Sequence, residues 1–266
     1  MTDLDRTLPA EETDDLDKSK APLLDHLIEL RRRLLWSFLA LALAFGLCLY
    51  FVDQILAVLV QPLLAAGQRQ LIAVAVFEQF FVRIKVAFFG ALMISFPVLA
   101  SQIWLFVAPG LYRKERRAFL PFLVLTPFLF AAGASLAYFV AMPLALNYLL
   151  GFAGNIGGVE QTSLPGISNY LDFWTRFIFG FGVAFLLPVL LMLLERAGLV
   201  TRQQLKRGRR YAIVVAFIVA AVLTPPDVIS QLLLAVPLVV LYEVSLIAIW
   251  FTERKRVKAA AGAPTA

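Results

Sequence analysis

Residues 106–121 read Phe-Val-Ala-Pro-Gly-Leu-Tyr-Arg-Lys-Glu-Arg-Arg-Ala-Phe-Leu-Pro. Long apolar segments flank this stretch on both sides, so it has to lie at a membrane surface. Arg113, Lys114, Arg116 and Arg117 mark that surface as cytoplasmic, because short loops on that side accumulate Lys and Arg. Glu115 is the lone carboxylate among them. A loop that only had to stay inside would do as well without it, which makes Glu115 a candidate receptor for a cation. The plainer reading is a surface pair with Arg116 or Arg117 at a helix start, worth about 0–1 kcal/mol.

Composition agrees with a membrane chain. Of the 266 residues, 61% are hydrophobic and 16% charged, far from the balance of a soluble domain. The net charge of +6 falls in clusters between apolar runs and forms no stripe, so topology explains it and nucleic-acid binding is not expected. Cys48 is the only cysteine and His26 the only histidine. That excludes an intrachain disulfide, a Cys-based metal site and His-pair chemistry, and no cofactor is expected. Residues 1–20 hold seven acids and three bases with no long apolar core, which reads as an acidic disordered tail and not as a cleavable signal peptide.

Outward from the 106–121 loop, the spacing predicts six spans within residues 21–252. Asp25 to Leu34 alternates leucine and isoleucine with charge and predicts an amphipathic interfacial helix, with Glu29 and Arg33 one turn apart. The first span follows over about 34–52, nineteen residues without a charge. An outside segment, 53–79, leads into a second helix over 79–107, whose Arg83 and Lys85 belong beyond the hydrocarbon. After the loop come a third span over 118–142, a long outer segment over 143–172, and a fourth span over 173–194. Arg202, Lys206, Arg207, Arg209 and Arg210 return the chain inside. The last hairpin, 211–251, turns at Thr224-Pro225-Pro226-Asp227 and has basic flanks, so two short helices must cross and return. Seventeen of the 24 Lys and Arg fall in the inside segments, which places both termini in the cytoplasm and leaves a basic disordered tail over 253–266.

Four motifs give these positions a family likeness: His26-Leu-Ile-Glu-Leu-Arg-Arg-Arg-Leu34, the 106–117 loop, Tyr138-Phe139-Val140 with Pro143, and Leu223-Thr-Pro-Pro-Asp-Val-Ile-Ser-Gln231. In order and spacing they resemble the TatC family, the multispanning signal-receptor subunit of the twin-arginine protein translocase. The resemblance implies an all-α, multi-pass protein of the bacterial inner membrane that binds twin-arginine signal peptides of folded cargo. It also implies proton-motive-force-driven export with TatA-like and TatB-like single-span partners and self-association in a larger complex. By the same match Glu29 and Glu115 are the signal-binding carboxylates, accompanied by Leu30, Arg31, Phe106 and Pro109. Chemistry agrees, since a guanidinium presents a planar fork of donors to a carboxylate and two arginines call for two acids. Gln231, with Pro225, Pro226 and Asp227, falls in the family's partner-docking region, the alternative being a glutamine that only caps the turn against Thr224 or Asp227. Glu243 is an intramembrane polar site, with snorkelling from a lipid edge as the alternative.

One departure stands out. Family members often carry an acid just before the fourth-helix proline, where this chain reads Phe185-Leu186-Leu187-Pro188. The chief rival function is a secondary transporter of a small solute, with Gln231, Glu243 and the kinked helices lining a path. Against it, the halves show no inverted repeat and the unusual charges sit at the surface. An enzyme is a weaker rival, because the chain lacks an acid–base constellation.

Overall fold

A computed structural model describes residues 10–111, 116–152, 154–156, 159–161, 164–224 and 227–261, with side chains placed over a narrower set. Helix dominates it, as hydrocarbon demands when backbone groups can bond only within the chain. Among the described residues, five segments are long and apolar enough to span a bilayer: Leu27–Tyr50, Glu78–Phe106, Phe122–Leu150, Ile167–Arg196 and Val228–Arg254.

Helix α1 (Ala10–Tyr50) runs unbroken through the first span. The interfacial helix expected over 25–34 is therefore an inner part of one long helix, because no Gly or Pro interrupts residues 23–45. The disordered tail expected over 1–20 lies outside the described residues up to position 9. Helix α1 packs along α3 (Glu78–Leu111). Their approach is close at Gly90, where a Cβ would come within 3.1 Å of the Cys48 Sγ. Leu34, Leu35, Trp36 and Phe38 of α1 are exposed around most of the helix, as a surface bathed in lipid would be.

Prolines shape the rest. The outer segment 53–79 contains a helix that the sequence reading left out, α2 (Val52–Ala65), too short to span. Pro62 has no N–H, so the Val58 carbonyl loses its helical donor. The Tyr138 hydroxyl donates to that carbonyl at 3.0 Å, and the Tyr170 hydroxyl donates to the Leu59 carbonyl at 2.7 Å. Beyond the basic loop, α4 (Arg116–Leu136) passes through a π-helical turn, Ala137–Ala141, into α5 (Met142–Leu150). The third span thus reaches Leu150, eight residues past its expected end. Pro143 is the second residue of α5, and the π-turn that runs into α5 accommodates both its missing N–H and the clash of its ring with the preceding turn.

A two-stranded antiparallel hairpin follows, β1 (Gly154–Ile156) with β2 (Val159–Gln161), pairing Asn155 with Glu160. Helix α6 (Ile167–Ala184) then gives way to α7 (Leu187–Arg196) at Phe185–Leu186. Pro188 ends one helix and starts the next, since it can neither donate to the Ala184 carbonyl nor tolerate it. Helix α6 lies at the centre of the core, with Trp174, Phe177 and Phe181 buried against Val82, Val86 and Ala87 of α3 and Met142 of α5.

A capping box opens the short α8 (Arg202–Arg207), where Thr201 Oγ1 accepts from the Gln204 amide and the Gln204 side chain accepts from the Thr201 amide. Helix α9 (Arg209–Leu223) has only 15 residues. Helix α10 (Val228–Ala261) has 34, so shortness holds for the fifth expected span alone and the sixth crosses at full length. Its helix continues past Phe251, the expected end of the hairpin, and residues 262–266 lie outside the description.

Glycine makes the α4–α6 contact possible. A Cβ on Gly133 would stand 2.6 Å from the Phe181 carbonyl oxygen and 2.8 Å from Phe185 Cγ, whereas one on Gly46 would meet nothing within 4 Å. Gly133→Ala is expected to destabilise the protein by about 1–3 kcal/mol through overpacking against backbone that cannot yield. Gly46→Ala should be neutral or stabilising by up to about 1 kcal/mol. Thermal unfolding in detergent micelles tests both, and an unchanged Tm for Gly133→Ala would refute the close-approach account.

Candidate functional site at the basic surface

The expected signal-binding residues divide between α1 and the end of α3. Glu29, on α1, is partly exposed and accepts from Arg33 one turn on, with Nε at 3.1 Å and the NH2 nitrogen also on Oε1. A guanidinium therefore already docks on this carboxylate, within the chain. Leu30 and Arg31 are exposed beside it. Phe106 closes the described side chains of α3, and Pro109 lies within the helical backbone of its last turns. Glu115 lies outside the described residues, so its distance to Glu29 is not part of the description.

Basic side chains from later segments share the surface on which α7 ends and α8 begins. Arg196 stacks over the Phe122 ring at 5.3 Å. Trp250 has Arg254 over it at 4.1 Å and Arg202 at 5.8 Å, while Arg202 also pairs with Glu253 at 3.6 Å. The Tyr242 hydroxyl donates to the Leu205 carbonyl at 2.7 Å and ties α10 to α8. These contacts hold the 196–210 loop against the end of α10.

Glu243, singled out as an intramembrane acid, is half-exposed and accepts from Arg209 at 2.7 Å. Arg209 is the first residue of α9. The pair therefore sits level with the basic end of the short helix, and the acid carries a partner that the sequence reading did not supply. Thirty-four residues separate the two, and nothing in local spacing links them.

At the other end of the hairpin Gln231 donates from Nε2 to the Phe217 carbonyl of α9 at 3.2 Å. Neither expected capping partner takes its amide: Thr224 Oγ1 donates to the Ala220 carbonyl, and Asp227 Oδ1 accepts from the Ser230 amide. Pro225 and Pro226 lie outside the described residues. Two buried oxygens beside this turn, Asp227 Oδ2 and Ser230 Oγ, have no partner. Helix α9 also presents Val214, Ile218 and Val222 on an exposed apolar face.

The sequence reading also missed Glu78. Its carboxylate accepts from the amides of Val74 at 2.6 Å, Ala75 at 3.2 Å and Ser168 at 3.0 Å. It thereby joins the start of α3 to the start of α6, next to the Ile72–Gly166 bridge. An acid in the first turn of a helix after a turn-rich segment is the signal that could have found it. Among the described residues no group of three or more His, Cys, Asp or Glu could hold a metal.

With this geometry in hand, comparison with known proteins decides the family. The model of the family "Sec-independent protein translocase protein (TatC)" matches residues 25–237. The chain belongs to the TatC family. A TatC protein of Magnetococcus marinus is 46% identical over 241 residues, covering 90% of this chain and 88% of that one. Another from Aquifex aeolicus is 38% identical and covers 88% and 97%. Among solved structures, a crystal structure of the twin-arginine translocase receptor TatC in DDM superposes with a TM-score of 0.74 at 38% identity. It covers 84% of this chain and 98% of that one. As a TatC-family member the chain is a protein translocase component of the Tat complex and not an enzyme. Its apolar helices and bacterial relatives make it a multi-pass protein of the bacterial inner membrane.

Proposed function

We propose that this protein receives twin-arginine signal peptides at its basic surface through Glu29 and Glu115, and passes folded cargo to single-span TatA-like and TatB-like partners for proton-motive-force-driven export. The observation that carries the proposal is the guanidinium of Arg33 on Glu29. An incoming arginine can take that place with the same donors, so the intramolecular pair acts as a stand-in for the peptide. Glu115, one acid among four cations, supplies the second carboxylate. The surrounding basic residues repel peptides that fail to engage both acids, which gives register as well as attraction.

In this reading α9 also crosses, as the fifth of six spans, and both termini and the two basic loops face the cytoplasm. At about 1.5 Å per residue its 15 residues give about 22 Å, short of a hydrocarbon core of about 30 Å. A partner helix on its exposed face would relieve that mismatch. Gln231, whose side chain bonds to the Phe217 carbonyl of α9, would orient the partner, at about 0.6–2 kcal/mol per interhelical bond.

Three experiments test these statements. Binding of a twin-arginine peptide should exceed that of a twin-lysine control, and Glu29→Ala or Glu115→Ala should each weaken it about tenfold or more, at roughly 1.5–3 kcal/mol per charge-assisted bond. Glu115→Lys binding like the parent would refute the site. In a Cys48→Ala background, an impermeant thiol reagent applied outside should label cysteines at Ser163 and Asp227 and spare one at Gln204. Labelling of Gln204→Cys from outside would overturn the topology. Gln231→Leu should leave peptide binding intact while reducing export and crosslinking of single-span partners to α9 and α10, and undiminished crosslinking would move the docking surface elsewhere.

A further inference from the structure

A second charged feature lies at the other end of the helices, away from the basic loops. Lys85 of α3 and Asp172 and Arg176 of α6 border a groove of about 310 Å³ between the two helices, floored by Phe88, Leu92 and Phe179. Lys85 Nζ donates to both Asp172 oxygens, at 3.0 and 3.1 Å, so these two charges compensate each other. Arg176 is exposed and takes part in no ion pair among the described residues. One positive charge is therefore left on an apolar, lipid-facing surface, a costly arrangement that normally marks a partner or a function.

Its depth identifies the environment. Arg176 and Arg196 are twenty residues apart in α6 and α7, about 30 Å of helix and the thickness of a hydrocarbon core. Lys85 stands twenty-one residues before Phe106 on α3, about 32 Å by the same rise. With Arg196 and the bases after it at one membrane surface, Lys85 and Arg176 both reach the opposite boundary. Lipid phosphates line that boundary.

We propose that this groove binds one anionic phospholipid in the leaflet opposite the 196–210 loop, its phosphate on Arg176 beside Lys85 and its upper acyl chain along Phe88, Leu92 and Phe179. Arginine's fork of donors suits a phosphate, and the net charge of the groove favours an anionic headgroup over a zwitterionic one, whose own cation would face Lys85 and Arg176. Free phosphate would satisfy Arg176 but leave the aromatic floor without an occupant. A helix about 10 Å across does not fit so small a volume.

The test uses the full-length protein in detergent, incubated with phosphatidylglycerol or phosphatidylcholine, with retained lipid counted by native mass spectrometry. The parent should retain one phosphatidylglycerol in preference to phosphatidylcholine, and excess inorganic phosphate should not displace it. Arg176→Gln should lower retention about fivefold, the share of one basic residue near a charged lipid, while Arg176→Lys keeps most of it. Because Arg176 has no ion pair to lose, Arg176→Gln without added lipid should melt like the parent. Equal retention by Arg176→Gln and parent, equal retention of phosphatidylcholine, displacement by phosphate, or loss in Arg176→Lys as great as in Arg176→Gln would each overturn the proposal. So would single-span partners that shield a Phe88→Cys label in vesicles of pure phosphatidylcholine, since that result gives the groove to a helix.

Discussion

Hydrocarbon offers a backbone carbonyl no water, so each proline in a membrane chain orphans an acceptor that the fold must satisfy or expose. Three prolines set the shape of this protein by that rule. Pro62 leaves Val58 to the Tyr138 hydroxyl, which ties α2 across to the π-turn ahead of α5. Pro143 coincides with that π-turn, and Pro188 with the break between α6 and α7. Tyr138 stands on the π-turn itself, so the defect made by one proline places the hydroxyl that satisfies another. The buried aromatics of α6 pack into the space these bends define.

The two ends of the helices handle charge in different ways. At the basic end guanidinium groups are in excess and rest on aromatic faces or on Glu29, Glu243 and Glu253, arrangements that an incoming ligand can compete for. At the other end Arg83 pairs with Asp53 at 3.0 Å and Lys85 with Asp172, while Glu78 spends its oxygens on backbone amides. That end is closed by contacts between distant segments, while Arg176 and Arg69 take part in no ion pair among the described residues. The two ends thus differ, one tied by ion pairs between distant segments and the other carrying guanidinium groups on aromatic faces and nearby acids.

The family resemblance puts an acid where this chain has Leu186, at the break between α6 and α7, and the packing around that break is apolar. Gly133 and Gly182 lie against Phe185 and Phe130 so tightly that a methyl group on either glycine would collide with the facing residue. Phe130 in turn stacks on Phe96 with ring centroids 3.6 Å apart. Aromatic rings and small residues thus fill the neighbourhood of the helix break, and a carboxylate there would need a polar partner that this packing does not provide.

Much of the molecule was legible in its sequence. Apolar runs mark where membrane-spanning helices lie, because a bilayer core has a fixed thickness. Basic clusters mark their loops, and the motifs at 26–34, 106–117 and 223–231 carry the family. Local spacing also supplied the Glu29–Arg33 pair, since a helix brings residues four apart onto one face. What it did not supply depends on residues far apart in the chain. The helix over 52–65, the extension to Leu150 and the full length of α10 follow from which neighbours cover each segment. Arg209 meets Glu243 across thirty-four residues, Glu78 meets Ser168 across ninety, and Lys85 meets Asp172 across eighty-seven. Hydropathy and period say how a helix crosses the membrane, but they do not say which face of it a distant helix will touch. That choice is made by close packing at Gly90, Gly133 and Gly182, and it exists only once the helices have come together.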